Sequence, residues 1–212
     1  QEVAGTTYGD RYYPTMSGVA RSLNFYPIGD EKAEEGIANV ALGLGKYIVD
    51  GGLTLRFSPA HPHNILQTSQ LDIALRETQT RFYALNLSNL GKELSVDDSF
   101  NLFKLNVKEA VEDKSLKYVA STYDPYDQML NSGVYKNGRK VVTFSGILEH
   151  DAFPLADALS KVLEIGQKEM GRPIEIEFAL NVEDNDKCTF YLLQIRPIVD
   201  AKDDMDEDLT AI

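Results

Sequence analysis

Two segments near the end of the chain carry the residue types best suited to chemistry. Ile174-Glu175-Ile176-Glu177-Phe178-Ala179-Leu180 alternates apolar and polar positions, which predicts a strand with Ile174, Ile176, Phe178 and Leu180 on one face. A polar loop, Glu183-Asp184-Asn185-Asp186-Lys187, turns the chain, and Thr189-Phe190-Tyr191-Leu192-Leu193-Gln194-Ile195-Arg196 returns as a second strand closed by Pro197. Strict period two puts Tyr191, Leu193 and Ile195 on one face. Phe190, Leu192, Gln194 and Arg196 share the other, with Gln194 and Arg196 about 7 Å apart. If Glu177 lies across the hairpin on that face, a carboxylate, an amide oxygen and a guanidinium converge. Hard oxygens suit Mg2+, which takes one or two donors from protein and the rest from phosphates and water. The fork-shaped, permanently charged guanidinium suits phosphate. Such a set could hold a magnesium nucleotide and offset charge during phosphoryl transfer. The same residues also fit a Glu177–Arg196 ion pair with Gln194 as a satisfied edge residue. Spacing alone leaves both readings open.

A hairpin of this kind needs a sheet and a helix behind it. Phe153 to Met170 is the clearest helix, with Leu155, Leu159, Val162, Leu163 and Met170 on one side and Lys161, Gln167 and Lys168 on the other. Gly171 caps it and Pro173 stops it. Gln1 to Ser22 reads as two short strands joined by a loop. After an N-cap at Asp30, Ile37, Val40, Ala41 and Leu44 fall at i, i+3, i+4 and i+7, which predicts an amphipathic helix ending at Gly43-Leu44-Gly45. Ile48 to Phe57 reads as extended chain. Arg81 to Leu87, Lys117 to Tyr123 and Lys140 to Ser145 read as further strands, with a turn at Lys136-Asn137-Gly138. Strands and helices in this mixture predict an α+β fold.

The 212 residues hold 33 acidic and 21 basic side chains, for a formal net charge of −12. That balance excludes polyanion binding as the main role, because nucleic-acid readers present a basic surface. Apolar runs are too short to span a bilayer. Six acids and one lysine after position 199 leave that tail at −5, which reads as a solvated linker over 200–212. One cysteine, Cys188, cannot form an internal disulfide, so a reducing, cytoplasmic setting is expected.

Glu175-Ile176-Glu177-Phe178-Ala179 followed by Tyr191-Leu192-Leu193-Gln194-Ile195-Arg196-Pro197 resembles the signature that closes the nucleotide-binding domain of phosphoenolpyruvate synthase and pyruvate phosphate dikinase. Rifampicin phosphotransferases share it. Upstream, Ala41-Leu42-Gly43-Leu44-Gly45 and Val49-Asp50-Gly51-Gly52 are similar to the family's Gly-Leu-Gly stretch and the segment after it, and Ser17-Gly18-Val19-Ala20-Arg21-Ser22 to its Ser-Gly-Val segment. Gln1-Glu2-Val3 resembles the strand that lines adenine. The order and rough spacing agree from Gln1 to about Val199. The resemblance implies an ATP-grasp, in which two α+β subdomains clamp ATP between antiparallel sheets. It makes Glu177 and Gln194 metal ligands and Arg196 the contact to the transferred phosphate. Glu2 and Val3 become hinge residues whose backbone meets adenine, and Glu175 a residue supporting the site.

By the same resemblance, residues 1–199 are the C-terminal portion of the nucleotide-binding domain. The N-terminal half of the clamp, a phosphohistidine domain and a pyruvate-handling barrel would belong to a larger parent chain. ATP and Mg2+ are the expected ligands, nucleic acid and membrane are not expected partners, and the chain alone is expected to bind nucleotide weakly without turnover. Alternatives are a degenerate module with a regulatory or partner-binding role, or a related phosphotransferase with another acceptor. The chain departs from the family pattern at Lys46, where an acid usually follows Gly-Leu-Gly, and 63–142 matches little of it. Gly43-Leu44-Gly45-Lys46 is not a Walker loop, because position 40 is Val and position 47 is Tyr. His61-Pro62-His63 lacks a third zinc ligand at a sensible spacing and reads as surface loop.

Overall fold

The computed structural model describes residues 3–89, 100–183 and 187–198. Glu2, the turn at Asp184–Asp186 and the acidic stretch 200–212, all assigned roles above, lie outside the described residues. The chain opens with three strands, β1 (Thr6–Tyr8), β2 (Arg11–Tyr13) and β3 (Met16–Arg21). Next come β4 (Ile37–Ala41), the one-turn helix α1 (Lys46–Val49), β5 (Leu55–Phe57) and α2 (Leu71–Arg76). The middle holds β6 (Arg81–Asn86), β7 (Leu102–Asn106), β8 (Ala120–Asp124), β9 (Met129–Ser132) and β10 (Arg139–Val142). Helices α3 (Ser145–Leu148) and α4 (Leu155–Met170) lead into the hairpin of β11 (Ile174–Val182) and β12 (Cys188–Pro197).

Among the described residues the strands form three antiparallel sheets, ordered β12-β11-β3-β4-β5, β1-β2-β6-β7 and β10-β8-β9. This is an α+β architecture of the ATP-grasp-like kind. In the five-stranded sheet, the alternating apolar residues of β11 align with Met16 and Ala20 of β3 and, beyond them, with Ala38 and Val40 of β4. Leu55 and Phe57 of β5 complete that face, and all of these side chains are buried. Helix α4 lays Leu155, Leu159 and Leu163 over it, closing the core. Each fully buried aliphatic or aromatic side chain contributes roughly 1.5–3 kcal/mol. Gly18 is where the packing is tightest: it sits opposite Phe178, and a Cβ there would lie 2.2 Å from the ring. Only glycine leaves room for the far end of the ring.

Several expectations are corrected. Ile37–Ala41 is a strand, not a helix. It is an interior strand of the sheet, so its near-continuous apolar run satisfies helical spacing by accident. Glycines of positive φ, Gly36 (φ 74°) and Gly43 (φ 83°), bracket it. The Gly43-Leu44-Gly45 segment is therefore a strand-to-helix turn. The expected extended run from Ile48 shrinks to β5, because α1 occupies its start. The described part of the first stretch holds three strands rather than two, and β7 and β9 fall where no strand is expected. The strand expected over Lys117–Tyr123 starts three residues later, and Lys140–Ser145 ends at Val142 before turning helical. Helix α4 and its Gly171 cap (φ 67°) match expectation, although Met170 turns out 42% exposed in the last turn. His61 makes a 3.1 Å contact with Glu35. Among the described residues no helix is long and apolar enough to cross a membrane.

Candidate nucleotide site

The second face of the five-stranded sheet is polar, and its register can be read row by row. Glu177 of β11 stands between Val19 of β3 and Gln194 of β12. One row further, Glu175 stands between Arg21 and Arg196. On the other side, Ala179 stands between Ser17 and Tyr191. Rows of this kind are about 7 Å apart along a strand.

Gln194 and Arg196 reach this face only because β12 is irregular. Glu177 pairs with Gln194 but the next residue, Phe178, pairs with Leu192, so Leu193 is an extra residue, a β-bulge. In a regular strand Gln194 and Arg196 would share the face of Phe190, which is opposite Leu180 and stacks on Phe178 with ring centroids 5.3 Å apart. The bulge moves them to the carboxylate face and leaves Phe190 and Leu192 on the core side. The single face expected for Phe190, Leu192, Gln194 and Arg196 is therefore wrong. The convergence of Glu177 with Gln194 is nevertheless present.

The row of Arg196 differs from expectation too. Arg196 does not pair with Glu177 but with Glu175, donating to Oε1 from Nε at 2.8 Å and also from Nη2. Arg21 donates from Nε to Oε2 of the same carboxylate at 2.5 Å. Glu175 is 5% exposed, whereas both arginine side chains are about half exposed. Burial opposes charge on Glu175, but the hydrogen bonds from Arg196 and Arg21 outweigh it and hold the carboxyl below the usual carboxylate range. The hydrogen bond to Glu175 in turn raises the pKa of Arg196.

A cleft of about 480 Å3 opens over the Glu177 and Ala179 rows. Its floor includes Ser17, Val19, Glu177, Ala179 and the bulged Leu193; Leu85 and Leu102 of the β1-β2-β6-β7 sheet, with Leu44 and Val49, supply apolar walls. Val3 and Ala4 also line it, and Lys46 stands at its edge with Nζ 3.1 Å from Asp50. The lysine's hydrogen bond lowers the Asp50 pKa. The volume lies within the usual range for small-molecule clefts, and an apolar slot beside a few fixed polar groups suits a purine with a charged tail. Two further depressions, of about 510 and 750 Å3, lie away from Glu177 and Gln194.

The expected site residues thus divide. Glu177 and Val3 line the cleft, Gln194 faces Glu177 in register, and Arg196 lies one row beyond; Glu2 is outside the described residues. Leu85 and Leu102 escaped the sequence reading because they come from another sheet and carry no local signal. Arg21 could have been found, since Ser17, Val19 and Arg21 alternate on β3 and end on a charge. No group of three or more His, Cys, Asp or Glu side chains among the described residues forms a metal cluster. A carboxylate facing an amide is nonetheless a donor set that fits Mg2+ when phosphates supply the remaining ligands.

An α+β clamp of antiparallel sheets, with a cleft between two of them and acidic, amide and guanidinium groups along one strand pair, defines an ATP-grasp-like nucleotide-binding domain. The family model described as pyruvate phosphate dikinase, AMP/ATP-binding domain, matches residues 2–212, and the chain belongs to that family. It is accordingly an ATP-binding domain of the pyruvate phosphate dikinase type. No curated protein matches the chain.

Proposed function

We propose that the cleft binds MgATP for phosphoryl transfer. The purine occupies the apolar slot between Leu44, Leu85 and Leu102, with the backbone of Val3 along its edge. The phosphates run along β11 toward Glu177. Glu177 and Gln194 hold the metal through their oxygens, and Arg196 contacts the transferred phosphate. When bound, Mg2+ neutralises charge on the phosphates. The protein's share is positioning and fixed charge, which is most of the work in this reaction class. Glu175 keeps Arg196 aligned without touching the nucleotide.

In this reading residues 1–199 are the C-terminal portion of the nucleotide-binding domain and 200–212 the linker out of it. The parent enzyme is cytoplasmic, phosphoenolpyruvate synthase-like, and phosphorylates a carrier histidine on another domain and then pyruvate. The chain alone binds nucleotide weakly and does not turn over. The observation that carries the proposal is the bulge at Leu193, which brings Gln194 opposite Glu177 and away from the core.

A second reading has one observation in its favour: both guanidiniums are already engaged by Glu175, as in a purely structural ion cluster of a regulatory or partner-binding module. Substitution in the full-length parent separates the two. Gln194→Ala or Arg196→Ala should abolish ATP-dependent phosphorylation while the melting temperature barely moves. Undiminished transfer in either variant would sink the assignment, and a large loss of stability with transfer intact would favour the structural cluster.

A further inference from the structure

We infer that Arg21 is a second guanidinium of the phosphate-binding end, acting with Arg196 on the terminal phosphoryl group of the nucleotide. The inference rests on the nucleotide reading above and extends it to a residue on a different strand.

Glu175 is the pivot. Its buried carboxylate gives one oxygen to Arg21 and the other to Arg196, so two cations are held side by side by a single negative charge. The cluster keeps a net positive charge of one. Hydrogen bonding to Glu175 uses Nε of Arg21 and Nε and Nη2 of Arg196. Both Nη groups of Arg21 and Nη1 of Arg196 have no partner among the described residues, and the two side chains are 46% and 56% exposed. Their donors are therefore presented to solvent in fixed planes, which is the geometry that recognises a tetrahedral oxyanion.

Position along the sheet says which oxyanion. The apolar slot, the Glu177–Gln194 row and the Arg21–Glu175–Arg196 row follow one another along β11. A nucleotide whose base fills the slot and whose middle phosphates reach Glu177 carries its last phosphate into the third row. There Arg21 approaches from β3 and Arg196 from β12, one on each side. A lone ion pair needs one arginine; the second leaves the row with one uncompensated positive charge, which suits an anion.

The test follows the arginine Nε–H resonances of the 212-residue chain by NMR during titration with ATP, AMP and inorganic triphosphate. ATP and triphosphate should shift both the Arg21 and the Arg196 signals, and AMP should shift neither. Arg21→Ala should weaken ATP about tenfold or more and leave AMP unchanged, as expected for loss of one charged hydrogen-bonding partner. Arg21→Lys should recover part of the loss. An Arg21 signal indifferent to ATP and triphosphate, or equal losses for ATP and AMP in Arg21→Ala, overturns the inference. If triphosphate shifts both arginines while ATP binds no better than triphosphate, the anion receptor stands and the adenine-nucleotide reading fails.

Discussion

Strand β11 has two faces that do different work, and they alternate residue by residue. Ile174, Ile176, Phe178 and Leu180 meet α4 and the core, all at 1% exposure or less. Glu175, Glu177, Ala179 and Asn181 meet the polar side, where the cleft and the arginine row lie. Both faces are mostly buried, so burial does not separate them. What separates them is the partner strand: β12 serves the first face with Phe190, Leu192 and Ile195 and the second with Gln194 and Arg196, and one bulged residue effects the exchange. Fold stability and ligand chemistry can therefore be broken independently by substitutions a single residue apart.

The largest effect belongs to the core face. Phe178→Ala removes a ring packed on Gly18 and Phe190 and should cost about 3–5 kcal/mol in urea unfolding. A cost near 1 kcal/mol would mean that the face under α4 collapses into the gap. Glu175→Gln should cost less, about 1–2 kcal/mol at pH 7, because the charge is buried but its partners are solvated. Its pH dependence has a definite sign. The folded pKa is lowered, so the stabilisation is complete above the unfolded carboxylate value near 4.3 and disappears as pH falls through the folded value. The stability gap between wild type and Glu175→Gln should thus narrow on acidification, and a gap that does not narrow as pH falls would contradict the ion cluster. Gln194→Ala, at an exposed edge position, should change stability by no more than about 0.5 kcal/mol.

How much of this was legible in the sequence follows the same division. The helix α4, its Gly171 cap and the alternation of β11 depend on local periodicity and could be read directly. Strand β4 could not, since a strand buried on both faces loses its period-two signature. The bulge at Leu193 was invisible too, because two consecutive leucines fit either phase of the alternation; only pairing with β11 selects one. Glu177, Gln194 and Arg196 do lie close together, but on a face that Gln194 and Arg196 would not reach in a regular strand. Spacing offers Arg196 an ion pair with Glu177, whereas its partner is Glu175, to which the resemblance gives only a supporting role. The apolar walls at Leu85 and Leu102 arise from sheet-to-sheet contact across more than sixty residues of chain separation from β3, which no local pattern encodes.

The central claim is that the polar face of β11 holds a metal–nucleotide complex through Glu177. Calorimetric titration of ATP into the 212-residue chain, with Mg2+ and again with chelator, tests it most directly. Wild type should bind more tightly with Mg2+, and Glu177→Gln should lose that increment while its chelator-phase affinity and melting temperature stay unchanged. A Glu177→Gln chain that keeps the full Mg2+ increment would contradict the account.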